Sequence, residues 1–312
     1  MNPHCASPAW GEASNASQAA VPLRSPVRAS DAGYRAEGAA GEDFVVLGAS
    51  VAGVAHRLNR KRCEDAFGWA QPAPGKLGLV VADGVSTAGR GGEGAEIAVG
   101  AACGHLLRLG SRWGQVECSG AVVSASEEIT EAGGAAAGQL STTIVVALVA
   151  LDLERGQANA VVASAGDSSA FTLDQDGTWS ELLAGSPSND AELAALEGLK
   201  PALPSVLPLP STSFSDREGA LLGVQVATVE LPRGTGLVLL TDGVADPLRD
   251  GPSSVAPRLA EVLLRAADAQ LSPLALAAAA DFSRRGAHDD RTILVAWPRF
   301  DRPGTGRPHQ SS

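Results

Sequence analysis

The stretch at residues 141–174 decides the fold: STTIVVALVALDLERGQANAVVASAGDSSAFTLD. It holds three apolar, β-branched runs, TTIVVALVAL, ANAVVASAG and SAFTL, which are separated by short turns rich in Gly and Asp. Short turns of this kind favour antiparallel pairing of neighbouring strands. A parallel arrangement would need a crossover helix between each pair of strands, and no helical segment fits between these runs. The stretch therefore predicts an antiparallel sheet.

Similar strand-like runs occur on both sides of this stretch. They are DFVVLGAS (43–50), KLGLVVAD (76–83), VATVELP (226–232), GLVLLTD (236–242) and RTILVAW (291–297). Two pairs of helical segments interrupt them, with Ser253 and Ser272 as N-caps in the second pair. The pairs are 93–110 with 116–132, and 253–268 with 272–285. This order predicts an α+β fold, a four-layer αββα sandwich of two mostly antiparallel sheets flanked by helix pairs.

The ends of the chain differ in composition from its middle. Residues 1–41 are rich in Ala, Ser, Pro and Gly without periodicity, which predicts a disordered tail, and residues 299–312 read the same way. One folded domain is predicted at 42–298. Within it, residues 185–222 are loop-rich and contain several prolines, which indicates an insertion that lies over the surface.

Composition narrows the function classes. The net charge of −11 and the pI near 4.9 argue against a general nucleic-acid binder. No apolar stretch approaches the roughly 20 residues of a membrane span. The four cysteines show no zinc-like spacing and are expected to be free thiols in a reducing compartment. With no signal-like arrangement at the N-terminus, we expect a cytoplasmic, monomeric protein that binds neither membranes nor nucleic acid.

Four short acidic motifs mark the candidate site. They are Glu64-Asp65, Asp83-Gly84, Asp242-Gly243 and Asp289-Asp290. Three of them lie where an apolar strand meets a turn, so a packed sheet can bring their carboxylates to one rim. Carboxylates gathered at low dielectric repel one another strongly and require a hard cation with oxygen ligands. The motifs therefore predict a Mg²⁺- or Mn²⁺-dependent hydrolase.

The order of motifs from 43 to 297 resembles a known family. ED, ADG, STT, AGDSS, TDG and the final GAHDD follow one another as in the metal-dependent Ser/Thr protein phosphatases of the 2C type, in their bacterial form. The resemblance implies a central β-sandwich with two metal ions at one rim. It also implies a phosphorylated protein substrate and a cognate Ser/Thr kinase.

The resemblance assigns the metal ligands residue by residue. Asp83 matches the carboxylate that bridges both ions, and the carbonyl of Gly84 matches a ligand of the second ion. Asp242 and Asp289 match the remaining direct ligands of the first ion. Asp167 in AGDSS matches a residue that helps to hold a third, weaker ion, although a simple hairpin turn is the alternative at this position.

The same resemblance assigns the groups around the metals. Glu64 and Asp65 match the acidic pair that holds metal-bound waters, and Arg60 matches the guanidinium that grips the substrate phosphate. The implied mechanism is direct attack of a metal-bridging hydroxide on phosphorus, without a phosphoenzyme. Arg60 lies in a basic run with Arg57 and Arg62, so a solvated cation is its alternative interpretation.

One position departs from the family pattern, and several others have supporting roles. Many relatives have a His after the ADG motif that is thought to protonate the leaving group, whereas this chain has Val85, so the general acid is unassigned. We interpret Asp290 as a supporting or turn residue and His288 as an exposed loop imidazole, and we expect residues 141–143 to pack. Two alternatives stay open: a pseudophosphatase that keeps the fold as a binding module, and a stress-response phosphatase with a different partner.

Overall fold

The structure, a computed structural model, describes residues 33–183, 224–249, 255–267, 272–282 and 288–300. Most of the predicted N-terminal tail, the insertion at 185–222, the N-cap Ser253 and the C-terminal tail beyond 300 lie outside the described residues. No helix within the described ranges is long and apolar enough to cross a membrane.

The described strands form two sheets in which every neighbouring pair is antiparallel. The strands are β1 Tyr34–Ala40, β2 Phe44–Val51, β3 Asp65–Ala70, β4 Lys76–Asp83, β5 Ile144–Asp152, β6 Gln157–Ala165, β7 Ser169–Leu173, β8 Trp179–Leu183, β9 Gln225–Leu231, β10 Gly236–Leu240 and β11 Arg291–Pro298. One sheet has the order β1-β2-β11-β10-β7-β8, and the other has the order β3-β4-β5-β6-β9. The chain therefore moves between the sheets several times, which brings distant segments to a common rim.

The described residues also form six helices, most of which cover the outer faces of the two sheets. They are α1 Val54–Leu58, α2 Gly91–Leu107, α3 Gln115–Gly133, α4 Asp242–Arg249, α5 Ala256–Ala267 and α6 Pro273–Ala280, with 3₁₀ segments at Ser86–Ala88 and Gly134–Leu140. Ser272 caps α6 as predicted, because its Oγ accepts a hydrogen bond of 3.3 Å from the Leu274 N–H.

Alternate side chains of each central strand face different layers. In β4, Val80 and Ala82 pack against α2 and α3, whereas Leu79 and Val81 pack between the two sheets. The six-stranded sheet is covered on its outer face by α4, α5 and α6. Because both faces of each sheet are buried, the strands read as continuous apolar runs. The predicted αββα sandwich is confirmed.

The N-terminal boundary of the domain differs from the prediction. Residues 34–40 were assigned to the disordered tail up to 41, but they form strand β1, which pairs with β2 along its whole length. Their sequence, YRAEGAA, lacks β-branched residues and has a low local preference for a strand. Pairing with β2 is what makes this segment a strand. Arg35 anchors the strand, since its guanidinium lies 4.2 Å from the centroid of the Phe67 ring and donates to the Phe67 carbonyl at 3.0 Å.

Candidate functional site

Three carboxylates from different parts of the chain meet at one rim of the sandwich. Asp83, Asp167 and Asp242 have carboxylate oxygens that all lie within 4.8 Å of one another. Asp83 ends β4 of the five-stranded sheet, and Asp242 follows β10 of the six-stranded sheet as the first residue of α4. Asp167 lies in the turn from β6 to β7, which crosses from one sheet to the other. Both sheets therefore contribute to the cluster.

The backbone of Asp83 is fixed by the STT motif. Its N–H donates to Thr143 Oγ1 at 3.2 Å, and its carbonyl accepts from the Thr143 N–H and the Thr142 hydroxyl, each at 2.8 Å. Thr143 Oγ1 also lies 2.7 Å from the hydroxyl oxygen of Ser168, next to Asp167. Packing is the predicted role of these threonines, and the Thr143 hydroxyl in addition ties the strand of Asp83 to the turn that carries Asp167.

The glycines after Asp83 and Asp242 are required by close backbone approach. A Cβ on Gly84 would lie 2.4 Å from the carbonyl carbon of Gly91, and a Cβ on Gly243 would lie 1.9 Å from the carbonyl oxygen of Asp290. Both distances are shorter than any side chain allows. The Asp-Gly pairs are therefore sites where the backbones of neighbouring elements touch.

The donor set suits a hard divalent cation. Three carboxylates at this spacing, one buried and two half-buried, repel one another, and a bound cation would remove that repulsion. Glu64 comes just before Asp65, which is paired with Asp83 between β3 and β4, and its Oε2 is buried and accepts no hydrogen bond among the described residues. Oxygen-only ligation is typical of Mg²⁺ and Mn²⁺. The residues present therefore fit the implied metals.

Asp289 and Asp290 have different surroundings. Asp289 is half-buried, its Oδ1 accepts from the Asp290 N–H at 3.1 Å, and it is not one of the three clustered carboxylates of the described chain. Asp290 is only 2% exposed. Its carboxylate accepts from the N–H groups of Gly53 at 2.6 Å and Glu64 at 2.5 Å. Asp290 thus joins the start of β11 to the segment that leads into β3.

Asp65 links the two sheets from within the site. It lies opposite Asp83 in the register of β3 and β4, and its Oδ2 accepts from the hydroxyls of Thr241 at 2.9 Å and Thr292 at 2.8 Å. Burial raises the pKa of Asp65 well above its usual value, and the nearby charge of Asp290 raises it further. Through these buried hydrogen bonds, Asp65 holds neighbouring strands together.

The raised pKa of Asp65 gives a testable pH dependence. The folded protein holds this proton more tightly than the unfolded chain does, so the stabilisation is complete below the unfolded pKa of about 3.9. It is lost as pH rises through the folded pKa. The melting temperature of Asp65→Asn should therefore rise relative to that of the wild type as pH increases. The measurement is made with a chelator present.

A matched control for this variant is Asp176→Asn. Asp176 is exposed, and hydrogen bonds from Thr178 lower its pKa. The melting temperature of Asp176→Asn should fall relative to the wild type as pH increases, because a carboxylate with a lowered pKa contributes stability at higher pH. Melting curves in which the Asp65→Asn difference is constant across pH would contradict the assignment.

The basic residues near the site differ in their contacts. Arg60 is exposed in the turn after α1 and has a φ of 55°, a conformation that is uncommon for a non-glycine residue. Arg57 pairs with Asp281 at 2.9 Å and is therefore engaged elsewhere. Arg60 thus stands at the start of the segment that leads to Glu64.

The sequence interpretation missed His56, a buried residue of α1. Its Nδ1 lies 2.9 Å from both carboxylate oxygens of Asp290. Its Nε2 lies 3.7 Å from Glu64 Oε2 and 3.4 Å from Ser86 Oγ. His56 and Asp290 are 234 positions apart in sequence, and no local pattern marks them as partners.

Solved structures share the fold at low identity. A phosphatase from Toxoplasma gondii is 16% identical, with a TM-score of 0.60 over 83% of this chain and 94% of that one. The Ser/Thr phosphatase PstP/Ppp of Mycobacterium tuberculosis is 17% identical, with a TM-score of 0.50 over 81% of this chain and 98% of that one. The catalytic domain of PstP in complex with 2 manganese ions is also 17% identical, with a TM-score of 0.51 over 82% and 98%.

A family model gives the stronger comparison. No curated protein sequence matches the chain significantly. The model described as Protein phosphatase 2C, however, matches residues 52–279, a range that includes all three clustered carboxylates. The chain therefore belongs to the protein phosphatase 2C family of metal-dependent Ser/Thr phosphatases and is a phosphoprotein phosphatase.

Proposed function

We propose that the protein hydrolyses phosphoserine and phosphothreonine in proteins by direct attack of water on phosphorus, without a phosphoenzyme. The observation that carries the proposal is the all-oxygen cluster of Asp83, Asp167 and Asp242. Asp83 ends a packed strand, Asp242 begins a helix, and Asp167 lies in a short turn between two strands, which suits a site that needs fixed geometry.

Asp83, Asp167 and Asp242, together with the carbonyl of Gly84, would hold two ions of Mg²⁺ or Mn²⁺, with a third as a weaker site. When bound, such ions lower the pKa of a coordinated water and neutralise charge on the phosphoryl oxygens. The complex of PstP with 2 manganese ions supports this number. Asp289 remains a predicted ligand on the strength of its place just before β11.

Glu64 and Asp65 take different parts in this proposal. The buried Oε2 of Glu64 can accept a hydrogen bond from a water at the site. The Oδ2 of Asp65 is occupied by the hydroxyls of Thr241 and Thr292, so Asp65 chiefly positions the strand that faces Asp83. Glu64 is therefore the better candidate for ordering water.

The test of this function is metal-dependent turnover. We expect the wild-type protein to release phosphate from a phosphoserine peptide with Mn²⁺ or Mg²⁺ and to stop when a chelator is added. Calorimetry with Mn²⁺ should give about two sites. Mn²⁺ binding without hydrolysis of any phosphopeptide would favour the pseudophosphatase. We further propose a monomer that acts in the cytoplasm on the products of a cognate Ser/Thr kinase.

Arg60 is proposed to bind the substrate phosphate, because a guanidinium can donate two parallel hydrogen bonds to phosphate oxygens. Arg60→Ala should lower kcat/KM roughly 30- to 150-fold, the equivalent of about 2–3 kcal/mol. Both KM and kcat should change, since the charge on these oxygens redistributes as the leaving group departs. Steady-state kinetics on a phosphopeptide measures the effect.

Two variants sharpen the Arg60 experiment. Arg60→Lys should restore little, because an ammonium group lacks the planar fork. Arg57→Ala removes a neighbouring exposed cation that pairs with Asp281, and it should leave the kinetics near wild type. Wild-type kcat/KM in Arg60→Ala would remove Arg60 as the phosphate ligand.

A further inference from the structure

His56 and Asp290 form a buried pair beside the acidic motifs, since Asp290 accepts from the Glu64 N–H and its carbonyl oxygen would lie 1.9 Å from a Cβ on Gly243. We propose that His56 is the residue that gives a proton to the departing Ser or Thr oxygen, with Asp290 as the residue that positions it. This inference rests on the proposed phosphatase function. It supplies the group that the Val85 position cannot, because a valine side chain carries no transferable proton.

The orientation of the imidazole is set from one side. Both oxygens of Asp290 lie 2.9 Å from Nδ1, so Nδ1 carries a hydrogen and donates it to the carboxylate. Asp290 is itself held by the N–H groups of Gly53 and Glu64. The ring therefore cannot turn without breaking its buried hydrogen bond to Asp290, and Nε2 is fixed in direction.

The other ring nitrogen faces the site and has only long contacts. Nε2 lies 3.7 Å from Glu64 Oε2 and 3.4 Å from Ser86 Oγ, both longer than a good hydrogen bond. Neither neighbour therefore holds an Nε2 hydrogen firmly. A substrate oxygen that approaches this edge of the ring can compete for it.

This edge of the ring lies beside the Asp83-Gly84 turn. Ser86 comes two residues after Gly84, and the Gly84 N–H donates to the Glu64 carbonyl at 3.1 Å. His105 is excluded because it lies near the far end of α2, 14 residues or about 21 Å along the helix from Gly91. His288 is exposed, on the loop before β11.

The proton balance of the step is simple. Water oxygen forms a bond to phosphorus while the bond between phosphorus and the substrate oxygen breaks. The electron pair of the broken bond stays on the substrate oxygen, which takes the Nε2 proton and leaves as the free alcohol of Ser or Thr. The attacking water loses one proton to solvent, a solvent proton returns to Nε2, and hydrogen phosphate is released.

The test compares two leaving groups in His56→Gln. A serine alkoxide is strongly basic and needs a proton to depart, whereas nitrophenolate is weakly basic and does not. With Mn²⁺, kcat for a phosphoserine peptide should fall roughly 100-fold or more, the usual contribution of a general acid. The loss for 4-nitrophenyl phosphate should be at least about tenfold smaller. A similar loss on both substrates would overturn the inference and leave the proposed function in place.

Controls separate this role from a structural one. His105→Gln is the same substitution far from the site and should not change the ratio of the two rates. Mn²⁺ affinity of His56→Gln, measured by calorimetry, should equal that of the wild type, and a weakened affinity would overturn the inference. If the wild type hydrolyses neither substrate, the proposed function fails and this inference fails with it.

A measurement on the wild-type protein tests the inference even if His56→Gln does not fold. In D₂O, the wild type should slow more on the phosphoserine peptide than on 4-nitrophenyl phosphate, because only the first reaction moves a proton to the leaving group. Equal solvent isotope effects on the two substrates would contradict a proton donor at His56.

Discussion

Asp83→Asn should abolish turnover and leave the fold intact. The side chain is one of three carboxylates that share the cluster, so its neutralisation should weaken binding of the proposed cations. A loss of at least about 4 kcal/mol in transition-state stabilisation corresponds to roughly a thousandfold in kcat/KM. The contacts with Thr142 and Thr143 involve the backbone of Asp83, so they persist in the variant.

Asp83→Asn should lose activity but should not lose stability. Without metal, the variant has less carboxylate repulsion, and its melting temperature should equal or exceed that of the wild type. Asp246→Asn, which changes an exposed acid on α4, serves as the control and should keep full activity. Near-normal phosphatase activity in Asp83→Asn would remove the metal mechanism.

Asp290→Ala should cause the largest loss of stability among the variants considered. The substitution leaves the His56 imidazole and the N–H groups of Gly53 and Glu64 without their buried acceptor. Removal of one partner from such a buried ionic network costs about 3–5 kcal/mol. Urea unfolding of the metal-free protein measures this, with the slope checked against that of the wild type.

The adjacent acid provides the matched comparison. Asp289 is half-buried and accepts from the neighbouring Asp290 N–H, so Asp289→Ala should cost about 1 kcal/mol or less. If Asp289 is a metal ligand as predicted, this variant should instead lose Mn²⁺ affinity. Equal losses of stability in the two variants would contradict the different roles given to these neighbours.

The sequence was most informative where strands are apolar and β-branched. β4, β5, β6, β10 and β11 are buried runs of this kind, and the ends of β4, β10 and β11 carry or adjoin acidic motifs. β3 was missed because DAFGWA follows directly on charged residues and mixes Gly and Ala with its aromatics. α4 was missed because it has eight residues and contains Pro247, so it lacks a helical period long enough to recognise.

The site could be predicted only as far as residue types and local order allow. Strand ends pointed to Asp83 and Asp242, and the structure joins Asp167 to them through contacts that cross between sheets. Asp289 and Asp290 are the same residue type side by side, so nothing local separates a half-buried acid from a buried acceptor of several hydrogen bonds. The pairing of Asp290 with His56 exists only after β11 is placed beside the start of α1.

The clustered carboxylates come from both sheets, so metal binding should affect the lifetime of the protein. A cation held by Asp83 and Asp242, as proposed, would bind the folded sandwich and would have no comparable site on the unfolded chain. At a free concentration about 100 times its dissociation constant, such a cation adds about 2.7 kcal/mol to stability. Metal starvation would therefore lower the amount of the phosphatase as well as its activity, because proteases degrade the unfolded fraction.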